Sequence, residues 1–155
     1  MDRRFEQQIE IAADLATVDR CITEPVLMRQ WLNPLLGCES VGEWSTKPGG
    51  RFRFTLHLPL LSPALDCEVI ERALGLVVWR FTGFFEGTDH WEGQPHPFGV
   101  RLVNRFCFTI PNPLVRTGFD LFASNLTRSD MQAQLHRLKV VAEQQQSRYP
   151  DSNGS

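Results

Sequence analysis

The stretch VRLVNRFCFTIPNPLVRTGFDLFASNL, Val100–Leu126, contains a change of hydrophobic period that decides the fold. Up to Ile110 alternate residues share one face of a predicted strand, which carries Val100, Leu102, Asn104, Phe106, Phe108 and Ile110. Pro111 and Pro113 cannot continue the backbone pairing and end the strand. From about Leu114 the apolar residues follow helical spacing. The sequence therefore predicts a sheet with one apolar face that passes directly into a long amphipathic helix.

The predicted helix carries one apolar stripe along most of its length. The stripe comprises Val115, Phe119, Phe122, Leu126, Leu135, Leu138 and Ala142. Gly118 or the stretch Thr127–Asp130, which could cap a new helix, permits a break. We expect residues 1–147 to form one domain, and the polar residues 148–155 to form a disordered tail.

The beginning of the chain predicts one strand and two short helices. Phe5–Ile11 alternates between apolar and polar residues, as a half-buried strand does. Asp14 can cap a helix that runs to about Cys21. Pro25 suits the first turn of a second helix, and Asn33–Pro34 ends it because the residue before proline avoids helical geometry.

Further strands fill the middle of the chain, at Cys38–Trp44, Arg51–Leu58, Leu65–Arg72 and Leu76–Phe85. The segment Glu86–Pro97 is rich in Gly, Pro, His and charge, which predicts a loop or an irregular strand. Short turns between consecutive strands require antiparallel pairing. The final helix is the only predicted element long enough to cover the apolar face. The fold class is therefore α+β, with about six or seven strands curved around a long C-terminal helix.

Composition and charge argue against several functional classes. The 155 residues carry a formal net charge of −2, so no general field attracts nucleic acid, and no nucleic-acid partner is predicted. No stretch approaches the roughly 18–20 apolar residues that cross a bilayer, and no secretory signal is recognisable, which predicts a cytoplasmic protein. The four cysteines lack metal-ligand spacing, so we predict reduced thiols, no metal and no cofactor. A monomer and a homodimer remain equally open.

Five local segments stand in a recognisable order: IEIAAD (9–14), MRQWLNP (28–34), PGGRF (48–52), VNRFCF (103–108) and MQAQLHRLKVVAE (131–143). Their order and spacing resemble the START-like (SRPBCC) helix-grip superfamily, including bacterial proteins similar to polyketide cyclases and dehydrases. The resemblance implies a cavity between sheet and helix that holds a small hydrophobic molecule, such as a lipid, a polyketide or another apolar metabolite. No catalytic set defines that superfamily, so the resemblance transfers no catalytic residue.

The residues predicted to face this space are candidates for ligand binding. They are Phe52, Phe54, Leu56, Trp79, Phe81, Trp91, Asn104, Phe106, Phe108, Phe119, Phe122 and Leu126. The chain has 11 Phe and 4 Trp, which suits a core filled by rings as well as a cavity walled by rings. The sequence leaves both interpretations open.

Three polar residues are candidates for chemistry. Asn104 shares a strand face with apolar neighbours, so it is either a hydrogen-bonded core amide or a group that orients a ligand. His90 and Glu92 lie in the run Thr88–Glu92, where they could serve as general acid and base or belong to a solvated loop. Alternation places Asp89 and Trp91 on the face opposite His90 and Glu92.

Three functions remain as hypotheses. The first is a binding module for a small hydrophobic ligand. The second is a cyclase- or dehydratase-like enzyme, which requires at least two of His90, Glu92 and Asn104 to converge within about 3–4 Å of one substrate atom. The third is a protein-interaction domain with an exposed apolar patch at Leu58–Leu65.

Overall fold

The computed structural model describes residues 2–149, apart from the side chain of Phe122, and contains one seven-stranded antiparallel sheet. The strands are β1 (Arg3–Ile11), β2 (Leu36–Ser40), β3 (Arg51–Leu56), β4 (Ala64–Ala73), β5 (Leu76–Gly83), β6 (Glu86–His96) and β7 (Gly99–Thr109). Their order across the sheet is β1-β7-β6-β5-β4-β3-β2. The predicted α+β helix-grip architecture is confirmed.

The helices are α1 (Leu15–Thr23), α2 (Pro25–Trp31), α3 (Pro113–Gly118), a π-helical turn (Phe119–Ala123) and α4 (Ser124–Arg148). Asp14 caps α1 as predicted, because its Oδ1 accepts a hydrogen bond from the backbone N of Thr17 at 2.7 Å. No helix within residues 2–149 is long and apolar enough to cross a membrane. Of the tail predicted for residues 148–155, residues 150–155 lie outside the described part of the chain.

The segment predicted as a loop or irregular strand is instead the regular 11-residue strand β6. It pairs with β5 on one side and with β7 along its whole length, so ladder hydrogen bonds override its polar composition. Glycine in this strand allows neighbouring backbone atoms to approach closely. A Cβ atom added to Gly87 would lie 1.9 Å from the carbonyl oxygen of Cys107. The glycine content that suggested a loop therefore reflects tight strand packing.

Strand β2 is shifted toward the N terminus from the predicted Cys38–Trp44, since it begins at Leu36 and ends at Ser40. Trp44 lies beyond the strand, where its Nε1 donates a hydrogen bond to the carbonyl oxygen of Thr23 at 3.0 Å. The hydrogen bond holds the β2–β3 connection against α1.

The two ends of the sheet differ. At the end that holds the β4–β5 turn, Leu15 of α1 packs so closely on Gly75 and Gly93 that an added Cβ would lie within 3 Å of its side chain. Helix α1 therefore covers this end. The opposite end holds the β3–β4 and β5–β6 connections and the start of α3, as antiparallel order requires.

Helix α4 spans the interior between strand β1 and helix α2. On one side Lys139 Nζ donates to the Glu10 carbonyl at 2.7 Å. On the other side Arg137 Nε donates to the Trp31 carbonyl at 2.9 Å, and Asn33 Nδ2 donates to Asp130 Oδ1 at 2.7 Å. The helix is thereby held across the inner face of the sheet.

The π-helical turn changes which residues of the C-terminal helix face inward. The backbone N–H of Ser124 bonds the carbonyl of Phe119 rather than that of Asp120, and this wider turn inserts one extra residue. Phe119 is consequently buried, whereas Leu126 is 72% exposed on the outer face. The predicted inward position of Leu126 is therefore wrong. The helix is continuous through Thr127–Asp130, and its irregularity follows Gly118.

Candidate functional site

Aromatic rings cover the inner face of the sheet and contact one another. Ring centroids lie 5.4 Å apart for Phe52 and Trp79, and 5.0 Å apart for the stacked pair Phe81 and Phe106. Offset and edge-to-face pairs at such distances stabilise a core beyond the area they bury. Nearer α3, Phe108 contacts Phe5, Phe85, Phe106 and Phe119. The rings thus form a packed floor.

A second group of inner-face residues keeps some solvent-accessible surface. Phe54 and Phe106 are only partly buried, although their neighbours Phe52 and Phe108 are buried on the same strands. The group comprises Gln7, Phe54, Asp89, Phe106 and Met131. We call the partly buried region of the inner face that these five side chains form the inner crevice.

The part of α4 above the inner crevice carries small side chains. Helical spacing places Ser124 and Thr127 on the same helix face as Met131 and Leu135. Leu135 and Leu138 are buried, whereas Ser124 and Thr127 are only partly buried. The C-terminal half of α4 therefore fills the interior with leucine, whereas its N-terminal half carries the smaller side chains of Ser124 and Thr127 on the same face.

A hydrogen-bonded polar cluster lies among the rings. Asp89 accepts from Asn104 Nδ2 at 2.7 Å through Oδ1, and from Trp91 Nε1 at 3.0 Å through Oδ2. Asn104 Nδ2 also reaches the carbonyl oxygen of His90 at 3.2 Å. Asn104 is 2% exposed and lies directly opposite Trp91 in the β6–β7 register. These bonds fix the carboxyl group of Asp89 in one orientation.

Burial raises the pKa of Asp89 to about 7, because the surrounding apolar groups disfavour the charged form. The hydrogen bonds from Trp91 and Asn104 act in the opposite direction, since both stabilise the carboxylate. A carboxyl group with this pKa exchanges a proton near neutral pH. It is therefore suited to general acid or base chemistry as well as to hydrogen bonding with a ligand.

Gln7 adds a second polar group to the inner face. It lies opposite Asn104 in the β1–β7 register, and its Nε2 donates to the carbonyl oxygen of Arg128 at 3.2 Å. Its Oε1 is buried and has no hydrogen-bond partner among the described residues. Buried side-chain oxygens are normally bonded, so this atom is an uncommitted acceptor.

His90 and Glu92 lie on the outer face of the sheet. His90 Nε2 contacts Glu92 Oε2 at 3.4 Å, and Arg105 NH1 lies 3.8 Å from the same carboxylate. Arg105 also pairs with Glu6 on this face. The hypothesis required at least two of His90, Glu92 and Asn104 to converge on the pocket, and it is wrong because the sheet separates His90 and Glu92 from Asn104.

The other predicted ligand-binding residues fall into three groups. Phe54, Leu56 and Phe106 are partly exposed. Leu126 faces outward, and the side chain of Phe122 lies outside the described part of the structure. The remaining side chains are buried, and they are Phe52, Trp79, Phe81, Trp91, Asn104, Phe108 and Phe119.

The sequence interpretation did not select Asp89 or Gln7 as site residues. A usable signal existed for both, because each is a polar residue at an inward position of an alternating strand. Asp89 shares its face with Trp91, and Gln7 shares its face with Phe5 and Ile9. A polar residue at such a position must find a partner or a ligand.

Two open grooves lie outside this interior. One, of about 420 Å³, lies between α2 and α4 and is bordered by Gln30, Arg137 and Val140. The other, of about 450 Å³, lies beside the β6–β7 turn. The predicted interaction patch in the β3–β4 connection is also solvent-exposed, with Leu60 at 96%. None of these surfaces contains the aromatic lining and polar cluster that characterise the inner crevice.

Comparisons with known proteins agree with this fold. A sequence model of the family described as polyketide cyclase/dehydrase and lipid transport matches residues 2–143. No curated protein matches the chain.

Solved structures extend the comparison to the fold. A putative uncharacterised protein from Rhizobium leguminosarum is 18% identical, with a TM-score of 0.70 and coverage of 93% of this chain and 96% of that one. A protein of unknown function from Staphylococcus aureus is 11% identical, with a TM-score of 0.71 and coverage of 95% and 97%. The protein Ara h 8.0201 is 12% identical, with a TM-score of 0.68 and coverage of 92% and 98%. At these identities the likeness establishes the fold alone.

Proposed function

Because the chain belongs to the polyketide cyclase/dehydrase and lipid transport family, we propose that it binds a small hydrophobic molecule in the inner crevice. The ligand would be a lipid, a polyketide or another apolar metabolite. The observation that carries this proposal is the partial exposure of Phe54 and Phe106 within a mostly buried aromatic face. The small residues Ser124 and Thr127 on the helix above support it.

Affinity would arise from apolar surface that the ligand removes from water. A ligand that covers about 200 Å² of apolar surface gains about 5 kcal/mol before the costs of association. The rings at the crevice contact one another closely, as the 5.0 Å stacking of Phe81 and Phe106 shows. Binding therefore requires Phe54, Phe106 or Met131 to change rotamer. The flexible, unbranched side chain of Met131 suits such an adjustment.

The proposal is tested by filling the space beneath α4. In a Ser124→Phe variant, a large ring would project from the partly buried face of α4 toward the crevice, whereas in a Leu126→Phe variant the ring lies on the exposed helix face. We expect the first variant to bind the apolar dye 1-anilinonaphthalene-8-sulfonate at least about tenfold more weakly than the wild type, equivalent to about 1.4 kcal/mol. The second variant should bind within about twofold of the wild type.

Circular dichroism of both variants provides the folding control. Equal weakening by the two substitutions, or no dye uptake by the wild-type protein, would contradict binding in the inner crevice. Native mass spectrometry of the gently purified protein gives an independent measurement, because a retained metabolite appears as added mass.

A second candidate function is an enzyme that uses the same space, and Asp89 is the observation that favours it. A carboxyl group with a pKa of about 7, on the inner face beside Asn104, can give or accept a proton at neutral pH. In this form the enzyme hypothesis replaces His90 and Glu92 with Asp89 as acid or base. Asn104 would position Asp89.

Bound metabolites distinguish the two functions. If Asp89 catalyses cyclisation with loss of water, an Asp89→Asn variant would retain a molecule that is heavier by one water than the molecule bound to the wild type. If the protein only binds, both forms would retain the same molecule. Mass spectrometry of the extracted ligands makes this comparison directly.

A further inference from the structure

The polar groups in the inner crevice restrict the kind of ligand that fits it. Gln7 Oε1 is buried and has no hydrogen-bond partner in the part of the chain that the structure describes. Asn104 donates both of its hydrogen bonds among the described residues from Nδ2, which leaves its carbonyl oxygen uncommitted. Each oxygen of Asp89 accepts one hydrogen bond and can accept another. With Asp89 in its carboxylate form, the uncommitted oxygen atoms of Gln7, Asn104 and Asp89 are therefore all acceptors.

The orientation of the Gln7 amide follows from its partner. Nε2 donates to the carbonyl oxygen of Arg128 at 3.2 Å. The flipped amide would place Oε1 against that carbonyl, so two acceptors would face each other. Only the orientation with Oε1 turned away from Arg128 satisfies the hydrogen-bonding chemistry. The acceptor is thus held in place by α4.

We propose that the inner crevice binds an apolar ligand through a hydroxyl group that donates a hydrogen bond to Gln7 Oε1, with Asp89 and Asn104 as neighbouring acceptors. This inference rests on the proposed function and specifies the ligand of that same site. The hydroxyl group would lie at the register position where β1, β7 and β6 bring Gln7, Asn104 and Trp91 side by side.

Other polar head groups fit this arrangement less well. A carboxylate or phosphate on the ligand would place its charge against the acceptor oxygens of Gln7 and Asp89. The nearest cation on α4, Arg128, is turned toward the ring of Phe5, with its guanidinium carbon 4.9 Å from the ring centroid. A ketone or ether oxygen would offer no donor to Gln7 Oε1. A hydroxyl group supplies the missing donor without a charge.

The test compares three matched probes by titration of the protein's tryptophan fluorescence. These probes are 2-naphthol, 2-methoxynaphthalene, which lacks the donor, and 2-(aminomethyl)naphthalene, which carries an ammonium group. We expect the wild-type protein to bind 2-naphthol at least about tenfold more tightly than 2-methoxynaphthalene, because one otherwise unmet acceptor is satisfied. A Gln7→Leu variant should lose this preference and keep its affinity for 2-methoxynaphthalene.

Each outcome decides between the proposals. Equal affinity of the wild type for 2-naphthol and 2-methoxynaphthalene would overturn the hydroxyl proposal and leave ligand binding in place. Tighter binding of the ammonium probe than of 2-naphthol would overturn it in favour of an amine that pairs with Asp89. Binding of none of the probes, together with no effect of Ser124→Phe on dye uptake, would refute the proposed function itself. If Gln7→Leu does not fold, the wild-type comparison alone still decides.

Discussion

An Asp89→Asn substitution should remove the loss of stability that Asp89 causes as the pH rises through neutrality. In the folded protein the pKa of Asp89 is raised from the ordinary 3.8 to about 7 by burial. The unfolded chain therefore releases this proton at lower pH than the folded chain does. Between about pH 4 and pH 7 the unfolded state binds fewer protons, so stability falls as the pH rises.

The magnitude follows from the size of the shift. A rise from 3.8 to about 7 corresponds to a loss of about 4 kcal/mol of unfolding free energy above pH 7, relative to pH 4. Asparagine carries no such charge. It can still accept from Asn104, but its amide group then faces Trp91 Nε1, and that buried donor loses its acceptor at a cost of about 1–3 kcal/mol.

Above neutral pH, the relief of the buried charge and the loss of the hydrogen bond have opposite effects on stability. At pH 4 only the loss of the hydrogen bond acts. At pH 8 the variant should be more stable than the wild type by about 1–3 kcal/mol, because relief of the buried charge exceeds the lost hydrogen bond. At pH 4 it should be less stable by about 1–3 kcal/mol, because only the lost hydrogen bond remains. The two stability curves therefore cross between these values.

Urea denaturation followed by tryptophan fluorescence, repeated from pH 4 to pH 8, measures both curves. Subtracting the unfolding free energy of the wild type from that of the variant removes the contribution of titratable groups that both proteins share. A Glu92→Gln variant removes a carboxylate from the outer face of the same strand and serves as the matched control. If the difference for Asp89→Asn stays constant across this pH range, the assignment of a buried, protonated carboxyl group is refuted.

Two further predictions concern local packing. Gly87→Ala should destabilise the protein by at least about 2 kcal/mol in urea denaturation, because the new Cβ would lie 1.9 Å from the Cys107 carbonyl oxygen. Gly118→Ala should stabilise the protein by about 0.5 kcal/mol, because the new Cβ meets open space in a helix. Phe119→Ala should cost about 3 kcal/mol in the same assay, and Leu126→Ala less than about 0.5 kcal/mol. Similar costs for the last two variants would contradict the π-helical turn between them.

The sequence predicted the element order and the fold class because most of its strands alternate cleanly and its caps are local. Asp14 and the prolines act within a few residues, so their effects can be recognised without tertiary information. Strand β6 could not be predicted in this way. Its glycines, histidines and charges are typical of loops, and only pairing with β5 and β7 makes them a strand.

The helix facing the sheet shows a second limit. A stripe of helical period runs through Phe119, Phe122 and Leu126 in the sequence, yet the π-helical turn moves the inward face by about one residue. Such a turn has no clear sequence signal, so the position of Leu126 could not be derived. The inward side of Asp89, in contrast, followed from simple alternation with Trp91, and only its importance was missed.

The polar cluster is difficult to explain by stability alone. A buried carboxyl group whose ionisation costs about 4 kcal/mol at neutral pH destabilises the fold, and an apolar side chain of similar size would avoid that cost. On the same face Gln7 adds a buried oxygen that has no hydrogen-bond partner among the described residues. Two such departures, on strands separated only by β7 and on the side that faces the helix, are expected where a ligand supplies the missing partner. The arrangement of Gln7, Asp89 and Asn104 thus supports a site selected for a molecule with a polar end.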